Sequence, residues 1–140
     1  MEPVGGSCLC GAVRYRVTAP FLRANHCHCS RCRKHTGAGA ATQGRVPREA
    51  FELLSGADAI RTYRPPEGGM AKVFCVHCGS SLFGGDWPDG PEVSIRLGTL
   101  DGDPGIRPRT RTFVADRAPW DTLPDDGTRR YPGPWTPSDR

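Results

Sequence analysis

The seven cysteines of this 140-residue chain constrain its fold more than any other feature, because they fall into three tight clusters. Cys8-x-Cys10 comes first, Cys27-x-Cys29-x-x-Cys32 follows, and Cys75-x-x-Cys78 stands far along the chain. An odd cysteine count in such clusters favours metal binding over disulfide pairing wherever thiols stay reduced. The opening MEPVGGSCLC has neither the basic n-region nor the apolar h-region of a signal peptide. No segment approaches the roughly 18 consecutive apolar residues of a membrane span. The expectation is therefore a cytoplasmic protein with reduced thiols.

Eighteen glycines and fourteen prolines, with 36% hydrophobic residues, point to short strands and loops around one modest core. A chain this turn-rich gains from metal staples. The net charge of +4 rests almost wholly on arginine, since Lys34 and Lys72 are its only lysines. The basic residues are scattered, with Arg107, Arg109 and Arg111 the one tight group, which argues against a nucleic-acid partner. An arginine fork does suit carboxylates, so an acidic small molecule is compatible with this surface.

Hydrophobic alternation locates the strands. Residues 12–17 place Val13, Tyr15 and Val17 on one side, and residues 92–100 place Val93, Ile95 and Leu97 on one side. Residues 59–64, 71–75, 81–83 and 112–115 also read as strands. Residues 25–34 are too polar for a core element and are expected to end in a helical turn stopped by Gly37. The small residues 37–41 let backbone pass close to something bulky, such as the cysteine cluster. Residues 46–54 carry an early proline and an acidic Glu49, and read as a short helix or turn ended by Gly56. Trp120 is expected as a closing core aromatic. The fold class that follows is mainly β: short antiparallel sheets stapled by zinc.

Cys8, Cys10, Cys75 and Cys78 make a four-thiolate set, the closed arrangement of structural zinc. Cys27, Cys29 and Cys32 remain, and three protein ligands with one open position describe a catalytic zinc. His26, His28, His35 or His77 could instead supply a fourth ligand and close the second site. Spacing leaves the closed and open alternatives even.

Three motifs carry a resemblance. Gly6-Ser-Cys-x-Cys-Gly-x-Val-Arg-Tyr15, Cys27-His-Cys-Ser-x-Cys-Arg-Lys34 and Phe74-Cys-x-x-Cys-Gly-Ser80 resemble the glutathione-dependent formaldehyde-activating enzyme family, also called the centromere protein V family. Similarity continues through Gly98-Thr-Leu-Asp101 and Ala118-Pro-Trp120. The resemblance implies a β-tent domain over residues 5–121, and the polar, proline-rich composition of residues 122–140 reads as an irregular tail. It also implies two zinc ions per chain, one structural on Cys8, Cys10, Cys75 and Cys78, and one catalytic on Cys27, Cys29 and Cys32. Where the family often carries a histidine, this chain has Arg111, so its substrate or assembly can differ.

A zinc held by three thiolates is a poor Lewis acid but binds a further thiolate well. The expected activity is that of a carbon–sulfur lyase which forms or cleaves a hemithioacetal between an aldehyde and a small thiol such as glutathione. Arg31, Arg33 or Lys34 are candidates for the thiol's carboxylates, against the plainer reading of solvated turn residues. The alternative function is a non-enzymatic thiol carrier or interaction module. Homodimerisation is left open by the sequence.

Overall fold

The structure, a computed structural model, describes residues 2–136. Its strands are β1 (Val4–Ser7), β2 (Arg14–Val17), β3 (Arg23–Cys27), β4 (Ala41–Pro47), β5 (Phe51–Ser55) and β6 (Ile60–Tyr63). They continue as β7 (Lys72–Cys75), β8 (Ser81–Gly84), β9 (Glu92–Arg96), β10 (Thr110–Thr112) and β11 (Arg129–Arg130), with one α-helix, α1 (Ser30–Thr36), among the described residues. The fold is mainly β, as the strand patterning requires.

Two sheets form. The smaller has the order β1-β2-β5, and the larger has the order β11-β10-β3-β4-β9-β8-β7-β6. Pairing is antiparallel apart from β3 with β10 and β10 with β11, which run parallel. Tyr15 and Val17 of the small sheet meet Val46, Val73, Phe83 and Ile95 of the large one in a single apolar cluster. Successive strand residues point to opposite faces. Gln43, Arg45, Lys72 and Arg96 stand at the alternate positions and line a cavity on the other side of the large sheet. One face of that sheet is core and the other is a polar wall.

Aromatic rings fill the core between the sheets. Tyr15 meets Phe51 and Phe83 at centroid distances of 5.5 and 5.4 Å, and Phe83 stacks on Trp87 at 4.4 Å. Such pairs contribute about 0.5–1.5 kcal/mol each beyond their buried area. The buried Tyr15 hydroxyl shares a 2.6 Å hydrogen bond with Thr99 Oγ1. Gly6 is required beside it, because a Cβ there would lie 2.3 Å from that hydroxyl.

Several sequence expectations need correction. Residues 46–54 are not a helix: β4 ends at Pro47, Arg48–Ala50 make one 3-10 turn, and β5 follows. Proline and glutamate mimic a helix start, but Phe51 and Leu53 pack into the core once β5 pairs with β2. Trp120 is 71% exposed rather than a core aromatic, and Trp87 takes that role. Polar residues 25–27 belong to β3, held between β4 and β10. The strand expected over 112–115 lies at Thr110–Thr112 and gives way to a 3-10 turn at Val114–Asp116.

Within the segment read as an irregular tail, a short pairing and one buried ring are present. Arg129–Arg130 form β11, the Tyr131 amide donates to the Arg111 carbonyl at 2.9 Å, and the Tyr131 ring is buried. The expectation for residues 137–140 lies outside the described residues.

Candidate metal and thiol site

The fold gathers the cysteines into two groups, Cys8–Cys10–Cys75–Cys78 and Cys27–Cys29–Cys32, with the sulfurs of each group all within 4.8 Å of one another. In the first group two hairpin turns converge. The β1–β2 turn brings Cys8 and Cys10, and the β7–β8 turn brings Cys75 and Cys78, with the Gly79 amide donating to the Cys75 carbonyl at 2.8 Å. Gly79 takes φ 78°, a conformation that L side chains rarely adopt. Sulfur separations are 3.6 Å for Cys8–Cys10 and 3.9 Å for Cys10–Cys75. Four sulfurs about 2.3 Å from a tetrahedral zinc would stand about 3.8 Å apart, so this donor set fits the ion. The Val13 amide donates to Cys8 Sγ at 3.3 Å, and Ser80 Oγ lies 3.2 Å from Cys78 Sγ. Hydrogen bonding to Ser80 holds the Cys78 thiol down to about 5.

The second group is local in sequence. Cys27 ends β3, Cys29 caps the N-terminus of α1, and Cys32 lies in its first turn. The Cys32 amide donates to Cys29 Sγ at 3.4 Å, closing that turn around the sulfurs. Gly37 ends the helix at φ 72°, its amide donating to the Arg33 carbonyl at 2.7 Å. Hydrogen bonds from Cys27 and Cys32 hold the Cys29 thiol well below its ordinary value, while hydrogen bonding within the same trio and burial push Cys27 far up.

Ala41 and Phe113 pack against Cys27 and Cys32. Phe113 sits in the left-handed region at φ 55°, which costs a non-glycine residue about 1–3 kcal/mol. Its amide donates to the Gly133 carbonyl at 2.9 Å, so the C-terminal segment helps to hold that conformation. Of the small residues after α1, Ala41 meets the cysteine cluster as expected, pairing with Cys27 across β3 and β4, and Gly39 meets a second neighbour. A Cβ on Gly39 would lie 2.5 Å from Asp121 Oδ2 and 3.3 Å from the Trp120 ring.

All three sulfur-bearing residues of this group line a cavity of about 1150 Å³, ample for a peptide-sized ligand. Its wall includes the polar face of the large sheet, and its rim includes Trp135, over which Arg23 stands at 5.4 Å. Lys72 Nζ lies 3.5 Å from Cys32 Sγ. Arg96 donates from Nε to Ser81 Oγ at 3.1 Å and from Nη1 to Gln43 Oε1.

Among the described residues, no histidine joins either sulfur group. His26 Nδ1 shares a hydrogen bond with Thr42 Oγ1, His35 Nδ1 shares one with Ser81 Oγ, and His77 is exposed. His28 is buried 3.3 Å from Arg111 Nη1, and Arg111 also binds Thr128 and Asp126, so it faces the C-terminal segment and not the cavity. Of the basic trio on α1, only Arg31 lines the cavity, and Glu67 and the Gly68 carbonyl already hold its guanidinium. Lys72 and Arg96 were not among the sequence candidates. Each was signalled only as a lone cation within an apolar strand, AKVFC and EVSIR.

The family model of the glutathione-dependent formaldehyde-activating enzyme matches residues 3–116. The chain belongs to this family. A Halomonas elongata protein that bears the family's name is 35% identical over 91 residues, which are 60% of this chain and 58% of that protein. The chain thus matches less than two thirds of that relative's length. A crystal structure of a Rhodobacter sphaeroides protein shares the fold, with a TM-score of 0.58 at 22% identity, over 91% of this chain and 98% of that one. Within the family's fold, both sulfur groups can hold a metal ion. No helix among the described residues is long and apolar enough to cross a membrane.

Proposed function

We propose that this member of the family is a zinc-dependent carbon–sulfur lyase, forming or cleaving the hemithioacetal of an aldehyde and a small thiol such as glutathione. Cys8, Cys10, Cys75 and Cys78 hold a structural zinc, and Cys27, Cys29 and Cys32 hold the catalytic one. The observation that carries this reading is the asymmetry between the groups: four sulfurs in one, and three on a cavity wall in the other. A metal with three sulfur ligands keeps a position for a fourth, and when bound it lowers a thiol's pKa while leaving the sulfur nucleophilic.

The chain's own residues then have distinct tasks. Cys27, Cys29 and Cys32 fix the metal on the cavity wall, and the cavity orients thiol and aldehyde so that sulfur meets the carbonyl carbon. In the addition, a carbon–sulfur bond forms as the carbonyl π pair moves to oxygen, and that oxygen takes up the proton lost from the thiol. Cleavage is the reverse. We assign residues 5–121 as the domain that carries the site and place the protein in the cytoplasm, where its seven cysteines, none of them in a disulfide, stay reduced.

The test is the rate of adduct formation from formaldehyde and glutathione with zinc-loaded protein, read as loss of free aldehyde. An acceleration that disappears in Cys32→Ser is the expected result. Glutathione binding without any acceleration selects the thiol-carrier reading. No binding at all overturns the open-site assignment.

A further inference from the structure

Lys72 is 7% exposed and Arg96 is 5% exposed, yet among the described residues no carboxylate pairs with either. Burying a cation without a counter-charge is costly. Arg96 spends Nε on Ser81 and Nη1 on Gln43, both neutral, and its buried Nη2 has no partner at all. Both residues line the cavity that the Cys27, Cys29 and Cys32 sulfurs also line, with Lys72 in hydrogen-bond reach of one of them. The anionic charge that these cations face is sulfur.

The first sulfur group is built differently. The Val13 amide donates to Cys8 Sγ and Ser80 Oγ lies beside Cys78 Sγ, and among the described residues no lysine or arginine hydrogen-bonds to a sulfur of this group. At the second group, Lys72 Nζ stands 3.5 Å from Cys32 Sγ, and Arg96 is buried on the wall that carries the same three cysteines. Charge counting gives the difference a purpose. A divalent metal with three thiolates carries one net negative charge, and a fourth thiolate makes two. Lys72 and Arg96, with Arg45 beside them on the same wall, bring more positive charge than three thiolates around a divalent ion neutralise, so the surroundings favour a fourth anionic sulfur although the chain supplies three. A neutral fourth donor would leave more of that positive charge uncompensated.

We propose that Lys72 and Arg96 are positioning residues that select an anionic sulfur, over a neutral donor, for the place beside Cys27, Cys29 and Cys32. This rests on the open-site reading above. It goes further by assigning the choice of ligand to two side chains that do not bind the metal. The substrate class that follows is a thiol taken as its thiolate, whether or not it carries carboxylates. Simple thiols such as 2-mercaptoethanol therefore share the preference with glutathione.

The test uses full-length protein loaded with cobalt(II) under anaerobic conditions at one fixed pH. Its visible bands are titrated separately with 2-mercaptoethanol and with imidazole, a neutral donor. In Lys72→Met the thiol dissociation constant should rise about tenfold, as expected for loss of a nearby charge in a poorly solvated site, while that for imidazole changes less than about twofold. Lys72→Arg should restore the thiol preference. Arg96→Met, in the same assay, carries the test if Lys72→Met does not fold. Equal losses for thiol and imidazole would make these residues merely structural, and unchanged thiol binding in both variants overturns the proposal. A parent protein whose bands respond to neither ligand overturns the open-site reading itself, and the proposal with it.

Discussion

His35 shows how a single side chain near the site is fixed by its neighbours. Ser81 Oγ accepts from Arg96 Nε at 3.1 Å and shares a 2.9 Å hydrogen bond with His35 Nδ1. Burial, with the nearby Arg96 and Lys72 charges, favours the neutral imidazole and pushes His35 down from 6.5 to about 4. The unfolded chain binds a proton that the folded chain refuses across this window. The contribution of His35 to stability is thus complete above pH 6.5 and is lost as the pH falls towards about 4. Replacing His35 with Gln, which keeps a hydrogen-bond partner for Ser81, should flatten the fall in unfolding free energy over that interval relative to the parent. Denaturant titrations at several pH values on both proteins measure it, and metal loss common to both cancels in the comparison. Coincident slopes would mean that His35 is not held neutral. The sequence shows His35 only as one of four histidines near cysteines. Its partner Ser81 lies 46 residues away, a proximity that no local pattern announces.

At the scale of elements, the two sulfur groups differ in what they join. Cys8 and Cys10 belong to the β1–β2 turn of the small sheet, and Cys75 and Cys78 to the β7–β8 turn of the large one. Cys10 and Cys75 lie 65 residues apart, so a metal on this group closes a long loop and ties one sheet to the other. Cys27, Cys29 and Cys32 span only the junction of β3 with α1 and constrain little chain. Cys78→Ser should therefore remove a large part of the ~5–15 kcal/mol that holds a domain of ordinary stability and give an aggregating or loosely packed product. Cys32→Ser should keep a native circular dichroism spectrum, retain one zinc, and lose thiol binding. Melting temperature and zinc content, measured on both variants together, decide the matter. If Cys32→Ser melts as readily as Cys78→Ser, the second group is structural as well. The regular strands β2, β7 and β9 were readable from alternation, because one face of each packs into the core. β3 was not readable, since its pairing with β4 and β10 outweighs its polar composition. β5 was misread because a proline and an acidic residue opened it like a helix.

For the molecule as a whole, the same asymmetry predicts that metal leaves in two stages. Mild chelation should strip the ion on the cavity wall while far-ultraviolet circular dichroism stays native, and removal of the second ion should coincide with unfolding. One non-exchangeable zinc per chain under zinc-replete conditions would contradict the two-site reading. What the sequence determined by itself is the clustering of cysteines into three motifs and the mainly β character, because ligand spacing within a motif and period-two alternation are local properties of a chain. The family followed from the same cysteine motifs, and the match over residues 3–116 bears it out. Tertiary structure alone decided that β11 and Tyr131 close the C-terminal segment onto β10, and that Trp87 rather than Trp120 joins the core. It also decided that Lys72 and Arg96 stand behind the three-cysteine group. Alternation says that a strand has two faces, but which face meets a second sheet and which meets a cavity depends on how the sheets pack. Two lone cations on strands far apart in sequence become a charged wall only when β7, β8 and β9 are laid side by side.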